Sequence, residues 1–137
     1  SSMNPVLNSG DVVLINRIVY DLGMPSRYDI AVFEKENSSL NMKRIIGLPG
    51  ETVQIKDNLV YINGKPLDAD DALGQATIAG TAEFPIDLGE DEYFLLGDNR
   101  ESSEDSRFSG IGTIKREQLT GKVWFKFQPI EEFGLIQ

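Results

Sequence analysis

The sequence predicts an all-β domain, mainly antiparallel, with little helix. Three observations carry this. Short runs rich in Val, Ile and Phe recur along the 137 residues, and branched and aromatic side chains suit a pleated, half-buried backbone. Turn signals separate these runs at Gly47-Leu48-Pro49-Gly50, Asp57-Asn58 and Asn63-Gly64. The only helical reading is a single turn at 115–119.

In chain order, the first strand is read over 11–20, where Val and Ile are dense, and the next two over 29–35 and 39–46. Residues 52–56 and 59–62 flank Asp57-Asn58, which reads as a two-residue hairpin turn. Residues 65–92 are acidic, Gly/Ala-rich and weakly periodic, and are read as a small insertion or flexible loop. Residues 92–96 and 121–127 are the last strands. Many short strands separated by turns point to a barrel or folded sheet. The length suits a single domain over 1–137 with a real core.

Composition removes several function classes. The chain has 13 Lys and Arg against 22 Asp and Glu, a net charge of −9. That argues against nonspecific nucleic-acid binding, which needs excess basic residues. The acids at 68–71 and 87–92 read as solubilising surface. The absence of cysteine excludes disulfides and thiolate metal sites. No calcium-loop pattern is present, so a metal site is not expected, and no organic cofactor is required. No run reaches the ~18–20 apolar residues of a membrane span, and no signal peptide is visible. The opening Ser1-Ser2-Met3 reads as the start of a piece of something longer.

The segment 97–110 is the densest polar stretch: Gly-Asp-Asn-Arg-Glu-Ser-Ser-Glu-Asp-Ser-Arg-Phe-Ser-Gly, directly after the apolar Tyr93-Phe94-Leu95-Leu96. Such a turn after a buried strand implies an internal hydrogen-bonded network. The chain also lacks histidine, which rules out a Ser-His-Asp triad. A serine can instead be activated by a neutral lysine amine. An ammonium of pKa ~10.4 must be lowered by roughly 3–4 units to serve at neutral pH, and burial in an apolar wall does this most simply. Lys43, inside Leu40-Asn41-Met42-Lys43-Arg44-Ile45-Ile46-Gly47, fits best, and Lys126 in Phe125-Lys126-Phe127 is its rival. Alternation puts Lys43 on one face with Asn41 and Ile45, with Met42 and Arg44 opposite. Taken alone, a strand lysine is more often a snorkelling surface residue. Ser2 is the candidate nucleophile, or else a polar residue of an ordinary turn. Ser103 is a candidate to orient the amine, or else a loop serine making a local turn bond.

Together these stretches resemble the bacterial type I signal peptidases, in four blocks that agree in order and spacing. Ser2-Met3-x-Pro5-x-Leu7 with Gly10-Asp11 is similar to the family's nucleophile box, and Arg27-x-Asp29-Ile30-x-Val32-Phe33 to its second. Residues 43–51 resemble the general-base box and 97–110 the last. The Ser2–Lys43 spacing fits the shorter, Gram-positive-like members. Val6 stands where the family usually has Thr, and Tyr28 where it usually has Gly.

The resemblance implies the folded, coiled β-sheets of that family. It implies a Ser2 nucleophile, a Lys43 general base and a Ser103 hydroxyl bonded to the Lys43 amine. It also implies structural ion pairs Arg44–Asp98 and Asp105–Arg107. Met3, Leu7, Leu40 and Met42 are the expected substrate-binding residues, lining shallow pockets for small side chains before the cut. The implied partners are signal-peptide-bearing preproteins, with pilins among the candidates, and a membrane reached through a segment preceding Ser1. The implied location is the cell membrane, with the catalytic domain on its extracytoplasmic side. Two other readings compete. One is a signal-peptidase-like accessory factor of pilus assembly that binds without cutting. The other is a Ser/Lys autoprotease of the SOS-repressor type, for which Ala79-Gly80 would be the cut bond, but which lacks the 97–110 block.

Overall fold

The computed structural model describes the backbone of residues 12–16, 24–34, 40–67, 74–101, 103–127 and 133–135, and their side chains apart from 12–16, 40, 124–127 and 133–135. Within these, the strands in chain order are β1 (Val12–Asn16), β2 (Ile30–Glu34), β3 (Leu40–Gly47), β4 (Thr52–Lys56), β5 (Leu59–Ile62), β6 (Lys65–Pro66), β7 (Ile86–Asp87), β8 (Glu92–Leu96), β9 (Ile114–Lys115), β10 (Leu119–Phe127) and β11 (Phe133–Leu135). The helical elements that lie wholly within the described residues are two short 3-10 turns, Gly80–Glu83 and Arg116–Gln118. The second falls on the helical turn read at 115–119. The all-β, antiparallel expectation holds.

A seven-stranded sheet runs β1-β10-β2-β3-β8-β9, with β11 also pairing β10. The long β10 joins β1 and β11 to the rest of this sheet. Its first half pairs β2, and its second half pairs β1 and β11. A second sheet runs β6-β5-β4-β7.

The apolar pattern follows from which faces are covered. On one face of the large sheet, Ala31, Phe33, Ile45, Tyr93 and Leu95 pack with Ile114 and Leu119. On the other, Ile46, Phe94 and Leu96 meet Val53, Ile55, Val60 and Ile62 of the second sheet. With both faces covered, Ile30–Phe33 and Tyr93–Leu96 are buried at every position, and the sequence there runs apolar without a break. β4 has one covered face, so Val53 and Ile55 are buried while Thr52, Gln54 and Lys56 are not.

Gly47 sits where the two sheets close on each other. A Cβ there would lie 2.6 Å from Val53 Cγ2 and 2.9 Å from Leu88 Cδ1 and from Phe94 Cβ. Gly47→Ala is therefore expected to cost about 1–3 kcal/mol, read as a lower urea midpoint. A midpoint equal to the parent's would contradict this packing.

The hairpins follow their turn residues. Asp57 and Asn58 both have positive φ (52° and 64°) and join Lys56 to its partner Leu59, as a primed two-residue turn requires. Asn63 and Gly64 do the same between Ile62 and Lys65. Tyr28 has φ 75°, in the region that costs a side chain with a Cβ roughly 1–2 kcal/mol. That strain explains why glycine is the expected occupant there. Tyr28 packs on the inter-sheet core, and its carbonyl accepts from Arg44 Nη1 at 2.8 Å.

The stretch read as an insertion or flexible loop is more structured than that reading. Its ends form β6 and β7, the two edges of the second sheet. Ala76, Ala82 and Leu88 are buried in the core between the sheets. These are small or isolated apolar residues without a strand period, which is why their burial leaves no pattern to read.

Candidate active site

β3 delivers Lys43 to the centre of the large sheet. Lys43 pairs Ala31 on one side, and its neighbour Arg44 pairs Leu96 on the other. Alternation sets Lys43 on the face of Ala31 and Ile45, in line with the pattern read from sequence, and leaves the residue 7% exposed. Burial pushes its pKa below the ordinary lysine value, while Asp105 and Glu104 act in the opposite direction. The net shift is downward, so desolvation wins. The rival Lys126 lies in β10 opposite Val13 and Gly134, in the β1–β10–β11 part of the sheet.

The polar segment after β8 folds back onto that strand. The Ser106 amide donates to the Leu95 carbonyl at 3.0 Å, and Ser106 Oγ accepts from the Leu95 amide at 2.9 Å. Asp105 and Arg107 are fully buried. Arg107 Nε donates to Asp105 Oδ1 at 2.8 Å and Nη2 to Oδ2 at 2.9 Å. Asp105 Oδ2 also accepts from the Gly97 amide at 3.0 Å. The remaining Arg107 donors reach the carbonyls of Ile78 at 2.9 Å and Arg100 at 2.7 Å. The Arg107 carbonyl accepts from the Thr81 amide at 2.7 Å and Thr81 Oγ1 at 2.9 Å. Gly80, at φ 57°, lies so close to the Arg107 backbone that a Cβ there would clash. Buried charge is tolerated here because every partner is supplied.

A second buried pair stands behind β3. Arg44 Nε and Nη2 hold Asp98 Oδ1 and Oδ2 at 2.9 and 2.7 Å, with both side chains at most 4% exposed. This bidentate fork ties the start of the polar segment to the strand that carries Lys43. Two further contacts were not foreseen in the sequence. Arg27 binds Glu51 through both oxygens at 2.8 and 2.7 Å, joining two of the motif blocks. Arg100 donates to the carbonyls of Gly97 at 2.7 Å and Gln75 at 2.6 Å. Burial pulls the Arg100 pKa down to about 10, which still leaves a cation at neutral pH. The signal available in advance was only a run of charges, because each partner is distant in sequence.

The remaining candidates are placed as follows. Ser103 is 5% exposed, and its Oγ is buried without a hydrogen-bond partner, so the expected bond to the Lys43 amine is not made in this structure. Met42 pairs Val32 and alternates onto the face opposite Lys43, as does the backbone position of Leu40 opposite Glu34. Ser2, Met3 and Leu7 lie outside the described residues. Among the described residues, no group of His, Cys, Asp and Glu is arranged to hold a metal ion.

A family model described as "Signal peptidase, peptidase S26" matches residues 1–128. The signal peptidase I of Bacillus caldolyticus is 37% identical over 97% of this chain and 78% of its own length. Signal peptidase I T of Bacillus subtilis is 38% identical over 96% of this chain and 72% of its own. Among solved structures, a signal peptidase I from Enterococcus faecalis superposes with a TM-score of 0.60 at 33% identity. That alignment covers 73% of this chain and 97% of the other.

Proposed function

This chain belongs to the signal peptidase family, peptidase S26, as a serine-protease hydrolase of type I, and from that premise we propose that a Ser2–Lys43 pair cuts signal peptides from secreted proteins. The observation that carries the reading is the buried Lys43 with its lowered pKa. A lysine in that state holds a neutral amine at a lower pH than a surface lysine and can accept a hydroxyl proton.

The substrate segment before the cut lies as an extended strand against β3. Within the described residues β8 pairs β3 only from Arg44 onward, so among those residues the β8-side edge beside Leu40 and Met42 is open. Ile45 bonds through both its amide and its carbonyl toward the β2 side. By alternation, the main-chain groups of Met42 point to the open edge, where a peptide strand can pair with them. Ser2 Oγ attacks the scissile carbonyl while Lys43 takes its proton, and the Ser2 backbone N–H supports the oxyanion. Lys43 passes that proton to the leaving nitrogen, and the C–N bond breaks to give the acyl-enzyme. Lys43 then takes a proton from water, which attacks the ester carbonyl. The C–Oγ bond breaks, the signal peptide leaves as its carboxylate, and Lys43 returns the proton to Ser2 Oγ. Ser103 has one donor and two acceptor positions, and it orients the neutral amine once substrate is seated. Arg44–Asp98 and Asp105–Arg107 keep the wall around Lys43 in place.

No described helix is long and apolar enough to cross a membrane. Placement on the extracytoplasmic face of the cell membrane is part of the same proposal, supported by the substrate class.

The experiment is cleavage of a signal-peptide substrate with Ala at the first and third positions before the cut, read by mass spectrometry, with Ser2→Ala in parallel. The parent cuts after the Ala and the variant does not. Equal cutting by Ser2→Ala would remove Ser2 from the reaction. A chain that binds pilins and cuts nothing would instead be an accessory factor.

The pH profile should rise through the lowered lysine pKa. Glu104 acts to raise that pKa, so Glu104→Gln should move the rising limb to lower pH. A limb that stays in place or moves up would refute the electrostatic link between Glu104 and Lys43.

A further inference from the structure

Beside Ser103 lies a cleft of about 490 Å³, lined by Glu101, Ser103, Glu104, Phe108, Gly110 and Ile111. Of these, only Ser103 is given a role in the reaction above. Among the described residues the lining has two carboxylates and no basic residue. Its apolar part is Phe108, 36% exposed, and Ile111, which packs on the cluster of Tyr93 and Leu95. Ser103 Oγ is a second, independent sign of a ligand: a polar atom buried at the cleft wall without a hydrogen-bond partner.

The position of the cleft gives its occupant. The open edge of β3 at residues 40–43 takes the chain before the cut. The polar segment returns along β8, the strand that pairs β3 from Arg44 onward, and its Glu104 and Asp105 act electrostatically on Lys43. A substrate strand on that edge that runs parallel to β3, from residue 40 toward residue 43, continues toward the end of β8 and the polar segment that follows it.

Resting on the cleavage reading, we infer that this cleft receives the first residues after the cut and that Glu101 and Glu104 select a basic side chain there. A Lys or Arg stem lies along Phe108 and Ile111 while its head meets the carboxylates. Ser103 Oγ has acceptor capacity for a substrate amide in addition to its donor for the amine.

The test is equilibrium binding, which does not depend on catalysis. Peptides with one signal half and Lys, Ala or Glu at the first three positions after the cut are titrated by fluorescence anisotropy against the chain carrying Ser2→Ala. The Lys peptide should bind about tenfold tighter than the Glu peptide at low salt. The ratio should shrink at high salt and vanish in Glu101→Gln/Glu104→Gln, whose changes are both at exposed positions. Equal affinities, absence of binding, or a preference that survives the double change would overturn the inference. Failure of the cleavage reading shows separately, as an Ala peptide left uncut by the chain with Ser2 intact.

Discussion

Replacing Lys43 with methionine is expected to abolish cleavage, by about 10³-fold or more, while making the folded protein more stable at neutral pH. The two effects share one cause. Lys43 is 7% exposed, and burial lowers its pKa from the ordinary 10.5 despite Asp105 and Glu104. In the unfolded chain it keeps the ordinary value and binds its proton more tightly. The unfolded state therefore holds more protons between the lowered folded pKa and the ordinary one. Stability conferred at high pH is lost as pH falls through that window, and it stays lost below the folded pKa. Methionine fills a similar volume without a charge to desolvate. Urea titrations at several pH values should show parent stability rising with pH through the window and a flatter curve for the variant. A variant less stable than the parent at neutral pH, or one that still cuts, would contradict the account.

Asp105→Ala is expected to have the largest effect on stability, a loss of about 3–5 kcal/mol. It leaves the guanidinium of Arg107, 0% exposed, without its counter-charge, and strips the Gly97 amide of its acceptor. Adding Arg107→Met should restore part of the loss, since an apolar side chain of similar reach replaces an uncompensated charge. Urea unfolding of the two variants decides this. A single-variant loss below about 1 kcal/mol would mean that water already reaches the pair, and an additive double variant would mean that the two residues do not depend on each other.

What was legible in the sequence was local. Asp57-Asn58 announced its hairpin because two residues that tolerate positive φ between apolar runs leave the backbone few alternatives. Lys43 stood out because a charge inside an apolar strand has to be explained. Its face followed from the twofold alternation of a strand. β9 and β11 left no such mark. They are two and three residues long, and they exist only because β8 and β10 offer partners. The burial of Ala76 and Ala82 was equally silent, since alanine gives little period. Arg27–Glu51 and the Arg100–Gln75 contact join residues far apart in the chain, and a charge carries no address for its partner. The Arg44–Asp98 pair was anticipated only through resemblance, and the same resemblance supplied a Ser103–Lys43 hydrogen bond that the structure does not contain.

The contacts of Arg107 have a consequence for how the molecule opens. Its guanidinium holds the Ile78 carbonyl, and its own carbonyl holds Thr81, while its partner Asp105 holds the amide of Gly97. The stretch between β6 and β7 and the segment beside Lys43 thus share one latch rather than two. Local opening of either releases the other, so hydrogen exchange at the amides of Thr81 and Gly97 should be slow and matched in free energy, as in a single cooperative unit. A substrate that seats beside Ser103 would then slow exchange at Thr81 as well, although the two residues belong to separate parts of the chain.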